Sequence, residues 1–401
     1  MSTWVPVPEG SDFPIDNLPY GTFREPGAQP SLGVAIGDAV LDVTALGRAG
    51  LLPADAAASA ASLDRLLAAG RPIWSAVRAR VGELLREPAA RDRVQPLLHE
   101  KAAVQLLLPF RVGDYVDFYS SLEHATNLGR LFRPGSEPLL PNWRHLPVGY
   151  HGRAGTVVIS DTPIRRPRGQ RKPPDAAEPV FGPTERLDIE AEVGFVIGAP
   201  SRLGEPVAAA DAAEHVFGLV LVNDWSARDL QAWEYQPLGP FLGKSFATTV
   251  SPWVVPLEAL AGARVPAPAQ SPPPLPYLRS TGDWAFDLTL EVNLNGTVIS
   301  RPPYAGMYWT IPQQLAHATS NGAALRTGDL FASGTVSGPA AGQQGSLIEL
   351  TRGGTEALEL GSGETRTFLL DGDVVTLGAH TARGPRFGFG SCAGTVTPSG
   401  P

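Results

Sequence analysis

The stretch Leu187-Asp188-Ile189-Glu190-Ala191-Glu192-Val193-Gly194-Phe195-Val196-Ile197 opens by alternating apolar residues with acids. Successive side chains of a β-strand leave opposite faces. A period of two therefore puts Asp188, Glu190 and Glu192 on one face and Ile189, Ala191 and Val193 on the other. Glu190 and Glu192 would stand about 7 Å apart at the backbone, from a rise of roughly 3.3–3.4 Å per residue. Carboxylates that close repel unless a cation lies between them, whereas on a solvated face such alternation is commonplace. Both readings predict a strand.

Other segments of strand length bounded by turns are Val157–Ile159, Val216–Val222, Phe286–Val292, Ser346–Leu350 and a hairpin over Phe368–Val375. Strands without regularly intervening helices favour a sandwich, roll or barrel over a doubly wound α/β sheet. The first 110 residues read differently. Gly33–Val43 reads as strand, Gly-Asp turn, strand, and an alanine-rich helical stretch follows in which Ile73, Trp74, Val77, Val81, Leu84 and Leu85 share one face. A boundary is expected near residues 105–115, dividing the chain into 1–110 and 111–401. The segment 263–278 holds six prolines and reads as a surface loop.

Composition narrows the classes. In 401 residues, 43% are hydrophobic and 18% charged, which suits a globular core. The 44 glycines and 40 prolines, about one residue in five, fit many turns around strands. A net charge of −8 gives nucleic acid no general attraction. The single cysteine, Cys392, rules out an intrachain disulfide and any cysteine-clustered metal site. No apolar run approaches the roughly 20 residues that span a bilayer, and Met1–Pro14 lacks a basic stretch followed by an apolar one. A soluble cytoplasmic protein with no membrane partner is expected. G-x-S-x-G, H-E-x-x-H, the phosphate-loop motif and G-x-G-x-x-G after a strand are all missing from the sequence.

Carboxylates remain as the positive signal. Asp114-Tyr115-Val116-Asp117-Phe118-Tyr119 sets two acids among aromatics, and Val220-Leu221-Val222-Asn223-Asp224 ends an apolar strand in an acid. Phe241-Leu242-Gly243-Lys244-Ser245-Phe246 places a lysine between aromatics. Taken singly, acids near turns and isolated lysines usually face water. Residues 111–170 carry eight arginines, no lysine and five acids, a basic stretch in an acidic chain that favours a small anionic substrate.

The stretches Ser11–Gly21, Asp114–Arg153, Thr162–Pro167 and Asn223–Val255, with Met307–Thr310, Ala332–Thr335 and Thr367–Asp373, resemble the fumarylacetoacetate hydrolase family. The runs Asn223-Asp224-Trp225-Ser226-Ala227-Arg228-Asp229 and Pro237-Leu238-Gly239-Pro240-Phe241-Leu242-Gly243-Lys244-Ser245-Phe246 are its most specific parts. The resemblance implies a mostly β fold, with an N-terminal SH3-like barrel, a C-terminal mixed β-sandwich roll and a homodimer. It further implies a divalent cation, Ca²⁺ or Mg²⁺ with Mn²⁺ also suited to oxygen ligands, at Asp117, Glu190, Glu192 and Asp224. Lys244 and Thr248 match positions beside that metal or a second ion.

By the same resemblance His124, paired with Glu349, is the catalytic base, and Arg228, Gln231 and Lys244 stabilise developing negative charge. Tyr119, Arg133, Tyr150, Gln231, Tyr235 and Thr335 correspond to substrate contacts. An arginine fork with phenolic donors suits a carboxylate end group. The implied reaction is metal-dependent hydrolysis of a carbon–carbon bond in a small anionic diketo acid, fumarylacetoacetate, to fumarate and acetoacetate, which ends tyrosine and phenylalanine catabolism. The alternatives are another acylpyruvate-type hydrolase, a decarboxylase or an isomerase of the same superfamily, or an inactive binding protein. The segment Asn295–Gly306 departs from the family pattern, although it touches none of these positions.

Overall fold

A computed structural model describes residues 3–400. Near the N-terminus lies a five-stranded antiparallel sheet in the order Leu98–Glu100, Ala39–Asp42, Ser31–Ile36, Tyr20–Arg24, Gln105–Leu107, where an SH3-like barrel is expected. The Gly-Asp turn is formed as read, with Gly37 at φ 55°, a region that glycine enters without a Cβ penalty. The helix Arg71–Arg86 follows its apolar period: Trp74, Val77, Val81, Leu84 and Leu85 are buried.

The rest of the chain is built on two further sheets. An eight-stranded mixed sheet runs Gly149–His151, Tyr115–Phe118, Leu330–Ala332, Ala191–Ile197, Val216–Asp224, Thr248–Val250, Val157–Ile159, with Val255–Pro256 also paired to Val216–Asp224. A five-stranded sheet runs Thr297–Ser300, Leu288–Leu294, Val374–Thr381, Cys392–Thr397, Ile164–Arg165. Leu288, Leu290, Val292 and Leu294 alternate inward and share one core with Val193, Phe195, Leu219 and Leu221 of the larger sheet. The other face of that larger sheet, through Val196, Val220, Val222 and Leu330, shares a second core with Leu32, Leu66, Trp74 and Val81 of the N-terminal region. Sheet residues covered on both faces must be apolar in near-continuous runs, which is what Val216–Val222 supplies. The molecule is mostly β.

Two expected strands are not strands. Ser346–Leu350 contains a single helical turn, Leu347–Leu350, because the Asp188 carboxylate accepts from the amides of Leu347 (2.7 Å) and Ile348 (3.1 Å). A segment this short, with apolar residues only at 347, 348 and 350, cannot be told from a buried helical turn by period alone. Phe368–Val375 is not a hairpin either. Leu369 bridges to Leu187, and the chain turns at Gly372 (φ 93°) into the strand Val374–Thr381. The carboxylate of Asp373 fixes that turn by accepting from the Leu370 amide at 2.8 Å. Most of the proline-rich segment 263–278 is exposed and irregular, as read.

Candidate active site

Four acids meet where strands of the larger sheet lie side by side. Asp117 sits opposite Ala332, and Ala332 in turn sits opposite Gly194. Glu192 sits opposite Val222, and Asp224 opposite Thr248. One carboxylate oxygen from each of Asp117, Glu190, Glu192 and Asp224 falls within 4.8 Å of all the others, and all four residues are buried. The solvated-face reading of the alternating acids is therefore wrong for this chain. The expected strand is interrupted at Ile189–Glu190: Asp188 belongs to the short strand Leu187–Asp188, which pairs with Ser226–Ala227 outside the larger sheet, and it turns to Arg228, whose Nε donates to it at 2.8 Å.

Gly334 closes this floor. Its amide donates to Glu192 Oε2 at 2.9 Å, and it holds φ 76° with a Cβ position only 2.2 Å from the Phe118 carbonyl oxygen. No other residue fits there without moving a strand.

The cluster is short of positive charge. Lys244 Nζ donates to Glu190 and Asp224, and Arg228 Nη1 contacts Glu190 at 2.7 Å, but Arg228 is shared with Asp188. Five buried carboxylates thus face two cations. Burial, with the Asp224 and Glu190 charges beside it, pushes the Asp117 carboxyl well above the usual range, although Lys244 opposes the rise. Burial and the Asp117, Glu190 and Asp224 charges do the same to Glu192. Burial also acts against ionisation of Glu190, yet Lys244, Arg228 and His124 outweigh it and hold that carboxyl low. Asp117 Oδ1 and Glu192 Oε1 are buried without a hydrogen-bond partner among the described residues. Orphaned oxygens in an electron-rich, all-oxygen pocket fit a hard divalent cation. Burial disfavours charge on Lys244, but the Asp224 and Glu190 charges outweigh it and favour the ammonium. Thr248 Oγ1 donates to Asp224 Oδ1 at 3.1 Å and steadies that carboxylate.

His124 lies beside the cluster in the helix Leu122–Phe132, whose N-cap Ser121 accepts from the His124 amide. Its Nδ1 is 2.6 Å from Glu349 Oε2, and its Nε2 is 3.9 Å from Glu190 Oε1. Glu349 also accepts from Asn127 Nδ2 (2.9 Å), Ser337 Oγ (3.0 Å) and Ser346 Oγ (2.7 Å). Burial alone would raise the Glu349 carboxyl. His124 and the Asn127 and Ser346 donors instead hold it below the usual range. An ionised Glu349 keeps the proton on Nδ1 and turns the Nε2 lone pair toward the cavity.

That cavity, of about 420 Å³, is lined by Asp117, His124, Glu190, Arg228 and Lys244 on its polar side, with Tyr119, Arg133, Tyr150, Gln231, Tyr235 and Thr335 around them. Phe132, Leu139, Leu140, Trp143 and Val148 make an apolar wall. Glu192, Asp224, Thr248 and Glu349 stand behind the lining. Arg133 donates one amine to the Pro138 carbonyl at 2.6 Å, and its Nε is buried without a partner among the described residues, as is Thr335 Oγ1. The Tyr119 ring meets His124 edge-on at 5.3 Å, and burial with nearby Glu190 and Glu349 pushes its phenol up. Tyr150 donates to Asp224 Oδ2 at 2.9 Å, so its proton is committed to that carboxylate. Gln231 Oε1 accepts from Arg228 Nη1 at 3.2 Å, which leaves its amide nitrogen for the cavity. Tyr235, at the rim, accepts from Gln236. Sequence reasoning assigned no role to Asp188, Asn127, Ser337 or Ser346. Of these, Asp188 carried a signal as one of the alternating acids, and Asn127 as the residue three positions after His124 on one helix.

The chain belongs to the fumarylacetoacetate hydrolase family. The family's C-terminal region, described as "Fumarylacetoacetate (FAA) hydrolase C-terminal", matches residues 115–397, and "Fumarylacetoacetase N-terminal" matches residues 16–109. Among relatives, the chain is 49% identical to fumarylacetoacetase of Rattus norvegicus over 414 residues, covering 99% of each chain. It is 46% identical to fumarylacetoacetase of Arabidopsis thaliana over 419 residues, covering 100% of this chain and 99% of that one. A solved fumarylacetoacetate hydrolase from Exiguobacterium antarcticum shares the fold, with a TM-score of 0.54 at 20% identity over 95% of this chain and 99% of that one.

Proposed function

We propose that this chain hydrolyses the carbon–carbon bond of 4-fumarylacetoacetate to fumarate and acetoacetate, the last step of tyrosine and phenylalanine breakdown. Full-length identity near one half to fumarylacetoacetases supports the substrate. The observation that carries the chemistry is the His124–Glu349 pair, opening 3.9 Å from Glu190 onto the cavity floor. A divalent cation, Ca²⁺ or Mg²⁺ with Mn²⁺ as a further candidate, held by Asp117, Glu190, Glu192 and Asp224, would supply Lewis-acid stabilisation of the charge that builds on the dicarbonyl oxygens.

The chain's own groups do the rest. His124 Nε2 takes a proton from water, the resulting hydroxide adds to the acyl carbonyl, and the proton returns to the departing acetoacetate carbon. Lys244, Arg228 and the Gln231 amide donate to the oxyanion or the leaving enolate. Arg133, Tyr119, Tyr235 and Thr335 hold a terminal carboxylate, with Tyr150 at the border fixing Asp224. The Trp143 and Leu139 wall excludes water from the substrate's carbon chain.

The direct test compares fumarylacetoacetate with acetylpyruvate as substrates for the wild type and His124→Ala. Strong preference for fumarylacetoacetate and its loss in the variant are expected. Equal use of both substrates would favour a general acylpyruvate hydrolase. Chelation followed by readdition of each cation tests the metal. The same reading makes the protein a cytoplasmic homodimer with a boundary near residues 105–115, testable by sedimentation and limited proteolysis.

A further inference from the structure

A second cavity, of about 360 Å³, lies between the helix Arg71–Arg86 and the start of the strand Val216–Asp224. From Phe217 at its wall to Asp224 in the acid cluster the strand runs seven residues, about 23 Å at the usual rise. This cavity is therefore separate from the candidate active site. Its size falls within the range of small-molecule sites.

Aromatic side chains make its walls. Trp74 and Tyr20 each meet the Phe217 ring edge-on, at 5.2 and 5.5 Å, and Trp284 also lines the cavity. Tyr20 is only 1% exposed, and its hydroxyl has no hydrogen-bond partner among the described residues. A buried phenol left unpaired costs free energy, and an acceptor entering the cavity would recover it.

Positive charge is also in excess. Arg78 is spoken for: it donates to the backbone carbonyls of Asp16 (2.6 Å) and Asn17 (2.8 Å). Glu258, the carboxylate of the lining, accepts from Ser75 and stands 4.0 Å from Arg78. Arg71 pairs with Glu214 at 2.5 Å. Arg264 has no carboxylate partner among the described residues. Its guanidinium stacks 4.2 Å from the Trp284 ring centre and donates to the Asp283 carbonyl. Both guanidinia line the cavity, and burial and the like charge of Arg71 act against ionisation of Arg264, with the Asp283 charge opposing them, so Arg71 and Arg264 repel one another.

An anion between Arg71 and Arg264 would remove that repulsion, and the ring-lined walls select a flat, unsaturated body. We propose that this cavity binds a small aryl carboxylate, its carboxylate against Arg264 and Arg71, its ring between Trp74 and Trp284, and an acceptor atom at the Tyr20 hydroxyl.

The test is fluorine NMR titration of the full-length protein with 4-fluorobenzoate, and with 4-fluorobenzamide as the uncharged control. Saturable binding of the acid near or below about 1 mM is expected, with none of the amide. Arg264→Gln should weaken binding by at least about tenfold and Arg264→Lys by less, while Arg133→Gln in the active-site cavity leaves it unchanged. Thermal melts of each variant separate lost folding from lost binding. No saturable binding, equal binding of the amide, insensitivity to Arg264→Gln in a folded variant, or loss in Arg133→Gln would each overturn the proposal. None of these outcomes bears on hydrolysis at the other cavity.

Discussion

Glu349→Gln isolates orientation and proton affinity at His124 from everything else in the site. In the native arrangement Oε2 accepts from His124 Nδ1 at 2.6 Å, Ser346 at 2.7 Å and Ser337 at 3.0 Å, and Oε1 accepts from Asn127 at 2.9 Å. The amide of glutamine keeps the shape but must put NH₂ at one of these places. At the Oε1 position it faces the Asn127 NH₂, and two donors oppose one another. At the Oε2 position it donates to Nδ1, drives the imidazole proton to Nε2, and leaves no lone pair facing the cavity. In the first geometry the correct tautomer survives but the imidazolium loses its counter-charge. In the second the base is the wrong tautomer. General-base assistance is worth about 10²–10⁴ in rate, so kcat should fall by that range with KM little changed. The assay is steady-state hydrolysis of fumarylacetoacetate across pH, alongside a thermal melt to show that the variant is folded. A folded Glu349→Gln enzyme whose kcat stays within about threefold of wild type would refute the role given to the pair.

Three further outcomes follow from the geometry. Arg133→Gln removes a charged donor whose Nε is buried and free, so KM should rise about 10–100-fold while kcat holds, from the roughly 1.5–3 kcal/mol of a charged hydrogen bond; an unchanged KM would place the substrate carboxylate elsewhere. Asp188→Ala strands Arg228 and the amides of Leu347 and Ile348, and urea unfolding should register a loss of about 3–5 kcal/mol. A loss below about 1 kcal/mol would mean those groups find other partners. Glu192→Gln relieves charge crowding: with chelator present its melting temperature should equal or exceed wild type. Added divalent cation, which at about 100 times its Kd would stabilise the wild type by about 2.7 kcal/mol, should shift the variant far less.

Elements governed by local period were legible in the sequence. The helix Arg71–Arg86 buries five of the six apolar residues its pattern names, with Ile73 half-buried, the strand Val216–Asp224 is buried throughout, and the alternating acids at 190 and 192 do share one site. Where the reading failed, a distant side chain had decided the local backbone. Leu347–Leu350 is helical because Asp188, some 160 positions earlier, caps it. The turn before Val374 is held by Asp373 acting on Leu370, with Arg366 and Asn295 holding the carboxylate in place. The serines around Glu349 were invisible for the same reason: nothing local distinguishes Ser337 or Ser346 from a turn residue. Asp117 was readable as an acid among aromatics, but its nearness to Glu192 depends on an intervening strand that arrives more than 200 residues later.

The apolar core shared by the N-terminal region and one face of the large sheet sets a timetable for synthesis. Leu66, Trp74 and Val81 leave the ribosome early, yet part of their cover, Leu330 and Ala332, is translated more than 200 residues afterwards. At about 5–20 residues per second, the nascent chain carries that core incomplete for roughly 12–53 s. Chains halted before residue 330 should therefore be sticky and chaperone-bound.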